Sequence, residues 1–240
     1  MMRAVDVVRK IAPKARAEYV AAFDAGDALL GNAGVDKPLR LAYLLAQCGA
    51  ESGDFELARE SLIYTTQLRL AKIFGNMRLA PALFTGEVKM LLREEHDLGE
   101  RFYGQGGPSD LYKKNGLNNG INPGNQKKAK GLGNDRPGDG FLFRGNGMLQ
   151  TTGGDAHRKA GAKVGVDFFN HPELVTSAEH ALKPVLFEWT NSGCNAFADA
   201  DSLLKTSSAI NLGNANSKST PNGMKARELW LKQAKKALAI

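Results

Sequence analysis

The sequence predicts a mainly α protein, and three observations carry that reading. Apolar residues return at three- and four-residue spacing over several long stretches, alternating strand patterns are sparse, and turn formers crowd into one long segment. Residues 3–23 read as helix with a break at Pro13 and a restart through Ala15–Val20, and 31–38 form a turn-rich connection. Pro38 suits the first turn of the next helix, because its missing N–H would be unpaired there anyway. Leu41, Leu44, Leu45 and Cys48 then form the stripe of a largely buried helix that runs to Glu51, where Ser52-Gly53-Asp54 supplies a stop.

Stretches 57–75 and 79–103 read as helical, split by Gly75 and Asn76. From 104 to 140 Gly, Asn, Lys and Pro dominate, so a long surface loop is expected. A Gly-rich stretch around Arg144-Gly145-Asn146-Gly147 follows, and helical patterns return at 154–165, 176–191, 199–211 and 222–238. There is no internal repeat. Residues 1–240 read as a single catalytic domain, with 1–34 as an N-terminal helical segment packed on it.

The composition excludes several classes. With 42% hydrophobic residues the chain is too apolar for disorder, and no apolar run approaches the roughly 18–20 residues of a membrane span. The charged start lacks a signal peptide's apolar centre, so synthesis in the cytoplasm and export with outside help are expected. Cys48 and Cys194 have no CxxC spacing and read as reduced core thiols. Cys and His form no ligand-spaced cluster, so neither metal nor cofactor is expected. The net charge of +7 points to an anionic partner without naming it, and no aromatic-interleaved basic pattern supports nucleic acid.

Glu51 closes an apolar helix, with Gln47 and Cys48 on the same face. A carboxyl against a desolvating wall is suited to general acid work, although most glutamates are simply solvated. Glu60 follows nine residues on. One continuous helix would put the two carboxylates on opposite faces, about 13.5 Å apart along the axis. The break at 52–54 lets the chain fold back instead. Two carboxylates about 6.5–9.5 Å apart suit an inverting glycosidase, and on spacing alone Asp54 and Glu56 rival Glu60 as the partner.

Longer motifs favour one family. Ala46-Gln47-Cys48-Gly49-Ala50-Glu51-Ser52-Gly53-Asp54-Phe55, followed by Glu60-Ser61-Leu62-Ile63-Tyr64, resembles A-Q-x-x-H-E-S-G-x-F and E-N-L-x-Y of glycoside hydrolase family 19. The likeness is greatest to its phage endolysin and bacterial lysozyme-like branch. Gly138-Asp139-Gly140 through Arg144-Gly145-Asn146-Gly147 to Gln150-Thr151-Thr152-Gly153 is similar to the family's G-D-G-x-x-x-R-G-R-G-x-x-Q-x-T-G. Ile210-Asn211-Leu212-Gly213 resembles I-N-G-G, and Arg227 falls where the family has a late Arg.

The resemblance implies a two-lobed lysozyme-like fold with the cleft between lobes and no metal. It implies Glu51 as general acid, Glu60 as general base and Thr152 as a residue that positions water. Gln150, Asn211 and Tyr64 would bind the sugar, and Arg144 and Arg227 would brace the acidic site, keeping the base ionised while burial raises the acid. Five positions depart from the pattern: Ala50 for His, Asn146 for Arg, Ala156-His157 for Asn-Tyr, and Leu212 for Gly. His157 either replaces a polar contact or sits on the surface of a helix.

The expected activity is a monomeric peptidoglycan lysozyme of the endolysin type, reaching the wall through a separately made membrane pore. Anionic glycan strands would be its partner. A chitinase, a non-catalytic glycan-binding protein, and membrane disturbance by the basic helix 222–238 are the alternatives. For that helix, core packing with a solvated basic face and at most weak membrane contact is the expectation.

Overall fold

The computed structural model describes residues 3–74, 91–104 and 123–240. The expected helical stretch 79–90 and its break at 75–76 lie outside the described residues, as does most of the expected loop, 105–122. The described chain is helical and contains no strand, only an isolated antiparallel bridge between Arg59 and Asn146. No described helix is long and apolar enough to cross a membrane.

The chain forms two compact units. The first comprises Met1–Arg59, Asn146–Gln150 and Ala160–Ile240; the second comprises Glu60–Gly145 and Thr151–Lys159.

The first unit is assembled around α4 (Pro38–Glu51), in which every residue from Leu41 to Gly49 is buried. A helix that is apolar on nearly all sides must be covered on nearly all sides. Helices α1 (Ala4–Ile11), α2 (Ala17–Asp24) and α3 (Asp27–Asn32) share its core with the C-terminal helices. Helix α1 stops where Ala12, preceding Pro13, leaves helical geometry. After α4 the side chain of Ser52 donates to the Cys48 carbonyl at 2.6 Å and accepts from the Phe55 amide at 3.1 Å. Gly53, Asp54 and Phe55 are all left-handed, with φ of 54°, 65° and 64°. For a non-glycine residue that conformation costs on the order of 1–2 kcal/mol.

The second unit contains α5 (Gln67–Phe74), α6 (Glu95–Tyr103), α7 (Pro123–Gly131) and α8 (Asp139–Leu142). Leu62, Tyr64, Leu70, Leu91, Leu98 and Phe102 form its apolar cluster. Helix α8 lies close on α6: a Cβ on Gly140 would sit 2.3 Å from the Gly104 nitrogen and 2.7 Å from the Gly99 carbonyl oxygen. Asp139 is buried and accepts the backbone N–H groups of Asp135 at 3.0 Å and Arg136 at 2.9 Å. The Gly-Asp-Gly signature is thus explained structurally: the aspartate ties off a turn and the second glycine permits backbone contact.

Two expectations change here. Residues 57–66 are not helical, because their backbone groups bond to distant segments. Glu60 N–H donates to the Gly145 carbonyl at 2.7 Å, and the Tyr64 carbonyl accepts from Arg93 N–H at 3.0 Å. The expected loop 104–140 contains α7 and the start of α8. Ala129 is the buried residue of α7's charged second half, too little apolar signal for a helical period.

Helix α9 (Gly154–Val164) carries the chain from the second unit back into the first, where a 3₁₀ turn (Pro172–Thr176) and four helices complete the fold. These are α10 (Leu182–Asn191), α11 (Cys194–Asp199), α12 (Leu203–Leu212) and α13 (Met224–Leu238). Helix α13 packs chiefly on α4. It buries Arg227, Trp230, Leu231, Ala234 and Ala237 and leaves Lys225, Lys232 and Lys236 exposed. Cys48 and Cys194 are free and buried.

Candidate active-site residues

In the first unit the sequence candidates Glu51, Asn211 and Arg227 meet. Glu51 is the last residue of α4, and its side chain is 18% exposed. Its Oε1 accepts a hydrogen bond from Arg227 Nη2 and one from Asn211 Nδ2 at 3.3 Å. Among the described residues, no hydrogen bond is made to Oε2. Arg227 is 1% exposed and uses each guanidinium nitrogen: Nη2 on Glu51, Nη1 on Gln47 Oε1, and Nε on the Asn222 carbonyl at 3.0 Å. Gln47, one turn before Glu51 and fully buried, also donates from Nε2 to Ser207 Oγ at 3.3 Å. Asn211 is oriented in turn, since its Oδ1 accepts from the Asn222 N–H at 2.8 Å.

Gln150 belongs to the same unit. It is left-handed at φ 51°, and its Nε2 donates to the Gly147 carbonyl at 2.8 Å. Backbone strain of this kind concentrates at ligand-binding positions.

In the second unit the centre is Glu60. Its Oε1 accepts from the Tyr103 hydroxyl at 3.2 Å and its Oε2 from the Gly145 N–H at 3.4 Å. Burial pushes this carboxyl above the ordinary glutamate range, and the Tyr103 hydroxyl, the Gly145 N–H, Lys128 and Arg144 pull it back in part. Lys128 lies over the Tyr103 ring at 4.5 Å from its centroid. Arg144 reaches the Glu60 backbone rather than its carboxylate: Nε donates to the Glu60 carbonyl at 3.1 Å and Nη1 to the Phe141 carbonyl at 2.7 Å. Tyr64 is buried in the apolar cluster, where burial, and secondarily the Glu60 charge, raises its phenol. Thr152 is half-buried in this unit.

Of the two candidate arginines, Arg227 contacts the Glu51 carboxylate and Arg144 lies 3.9 Å from the Glu95 carboxylate, while burial raises the Glu60 carboxyl. His157 is not a surface residue. It is fully buried, with Nδ1 2.8 Å from the Gly153 carbonyl and its ring 5.0 Å from that of Phe143. Sequence reasoning missed Tyr103, which no spacing ties to Glu60, and read Lys128 as a possible contact for an anionic glycan without linking it to Glu60. Gln47 was visible as a face neighbour of Glu51 without a role.

The fold is similar to that of solved chitinases. It matches chitinase C from Streptomyces griseus HUT6037 at a TM-score of 0.56 and 16% identity, over 100% of this chain and 78% of that one. A bacterial family 19 chitinase matches at a TM-score of 0.56 and 15% identity, over 98% and 94% of the two chains. No protein-family model matches the chain. In sequence it is 28% identical over 192 residues to a glycosyl hydrolase family 19 domain-containing protein of Haemophilus influenzae, covering 80% of each. Its ordered motifs and this relative make the chain similar to glycoside hydrolase family 19.

Proposed function

We propose that the chain hydrolyses β-1,4 bonds between N-acetylmuramic acid and N-acetylglucosamine in peptidoglycan, with inversion. Protonated Glu51 gives its proton to the glycosidic oxygen as the C–O bond breaks. Ionised Glu60 takes a proton from a water that attacks the anomeric carbon from the opposite face, with Thr152 orienting that water. Proton exchange with solvent then resets both carboxyls.

One observation carries the reading. Glu51 is held at Oε1 by Arg227 and Asn211, leaving Oε2 for the proton, and Arg227 stabilises the carboxylate left after transfer. At Glu60 both hydrogen bonds are accepted by the carboxylate, which supports the ionised form a base requires. The charge of +7 suits a wall polymer that is anionic through its lactyl-peptide carboxylates.

A second reading, chitinase activity on β-1,4-linked N-acetylglucosamine, is favoured by the likeness in fold to solved chitinases. Mass spectrometry of reduced products, from purified peptidoglycan and from chitin oligomers, separates the two. Wild type is expected to create new reducing-end N-acetylmuramic acid from the wall, and Glu51→Gln is expected to create none. Cleavage of chitin alone would replace the first reading with the second. Cleavage of neither would leave a glycan-binding protein.

A further inference from the structure

Helix α13 grips the end of α4 with two side chains, three residues apart and therefore on one face. Arg227 holds the Glu51 carboxylate. Trp230, 5% exposed, donates from its indole Nε1 to Asp54 Oδ1 at 3.0 Å. The Trp230 ring lies against the last turn of α4, so close that a Cβ on Gly49 would fall 2.5 Å from its Cδ2. Its ring also meets Phe55 edge-on, with centroids 5.4 Å apart.

Asp54 and Phe55 are the two non-glycine left-handed residues of the turn that closes α4, three and four positions after Glu51. A fold that required only a helix stop at this point would place glycines there. Strain retained beside a functional carboxylate, and held down by a specific hydrogen bond and a buried ring, belongs to a device that fixes geometry.

We propose that Asp54 and Trp230 form a positioning pair that sets the direction of the Glu51 carboxylate, acting through the left-handed turn after α4. The inference rests on Glu51 being the acid proposed above. Neither residue touches substrate in this account. The indole N–H fixes Asp54, Asp54 fixes the turn, and the turn fixes where α4 ends relative to Arg227.

Three variants of the full chain separate the elements of the pair. Asp54→Gly keeps the left-handed turn and loses the acceptor, Asp54→Asn keeps an acceptor in a residue that tolerates the conformation, and Trp230→Phe keeps a ring and loses the donor. With folding checked by circular dichroism, Asp54→Gly and Trp230→Phe are expected to lower kcat about tenfold, as small misplacements of an acid do. KM should stay within about twofold, and Asp54→Asn should restore most of kcat. Wild-type kcat in Asp54→Gly and Trp230→Phe overturns the proposal, and so does an Asp54→Asn loss as large as that of Asp54→Gly. The Glu51 carboxyl-carbon NMR signal gives a readout independent of activity. It should move in Asp54→Gly and Trp230→Phe and stay in place in Asp54→Asn; an unmoved signal in all three overturns the pairing. A wild type that cleaves neither wall nor chitin defeats the functional reading alone, and the NMR comparison still decides this one.

Discussion

At Glu60, burial and hydrogen bonding oppose each other, and burial wins: the carboxyl is raised although Tyr103 and Gly145 donate to it. A base works only when ionised, so a raised Glu60 shifts the acidic limb of the activity profile upward in pH. Tyr103→Phe removes a donor that favours the ionised form and leaves the burial. The limb of kcat/KM against pH should therefore move further up, and an unmoved limb would remove Tyr103 from the account. Arg227 makes a different prediction. A lysine cannot reproduce a fork that serves Glu51, Gln47 and Asn222 at once. Arg227→Lys should cost about 1–3 kcal/mol in urea unfolding, because buried acceptors lose their partners. Legibility in the sequence divides along the same line. Glu51 and Gln47 share a helix face and could be paired from spacing. Glu60 came through its motif, and Tyr103 could not be found, since a contact across 43 residues leaves no period in the chain.

At the scale of elements, α4 and α13 were readable because each has a strong local signal: a stripe of leucines in one, and alternating buried and basic positions in the other. Stretch 57–66 was misread as helix because its backbone partners lie elsewhere in the chain, at Arg93 and Gly145, and tertiary bonding overrode local pattern. Helix α7 was misread as loop for the opposite reason, too little apolar content to announce it. The packing of α8 on α6 gives a test. Gly140→Ala would drive a Cβ into the backbone of Gly104 and Gly99, which cannot rotate away. The expected loss is about 3 kcal/mol or somewhat less, read by chemical denaturation with amide exchange monitored over α6 and α8. A wild-type midpoint would show that the close contact does not hold.

For the whole molecule, acid should weaken the fold through its aspartates. Asp199 is held well below the usual range by hydrogen bonds from Arg40 and then Lys37, and Asp201 is held low by Lys235 and then Tyr43. Depressed carboxyls contribute stability that is present above their unfolded value, near 3.9, and lost as pH falls through the folded one. Glu60 acts in the opposite sense, favouring the fold below its unfolded value and losing that contribution as pH rises through the raised one. Among the described residues, three depressed aspartates, Asp199, Asp201 and Asp167, against one raised glutamate set the sign. The melting temperature should fall between about pH 5 and about pH 3, and fall less in Asp199→Asn. High salt should shallow the slope, since all three aspartates face solvent. The central claim, that Glu51 and Glu60 act as an inverting pair on a β-1,4 glycan, is tested most directly by the anomer that forms first. Proton NMR of fresh product, from wall fragments and chitin oligomers alike, should show the α-anomer before mutarotation in wild type and no product with Glu60→Gln. A β-anomer appearing first, or product formation undiminished by Glu60→Gln, would contradict it.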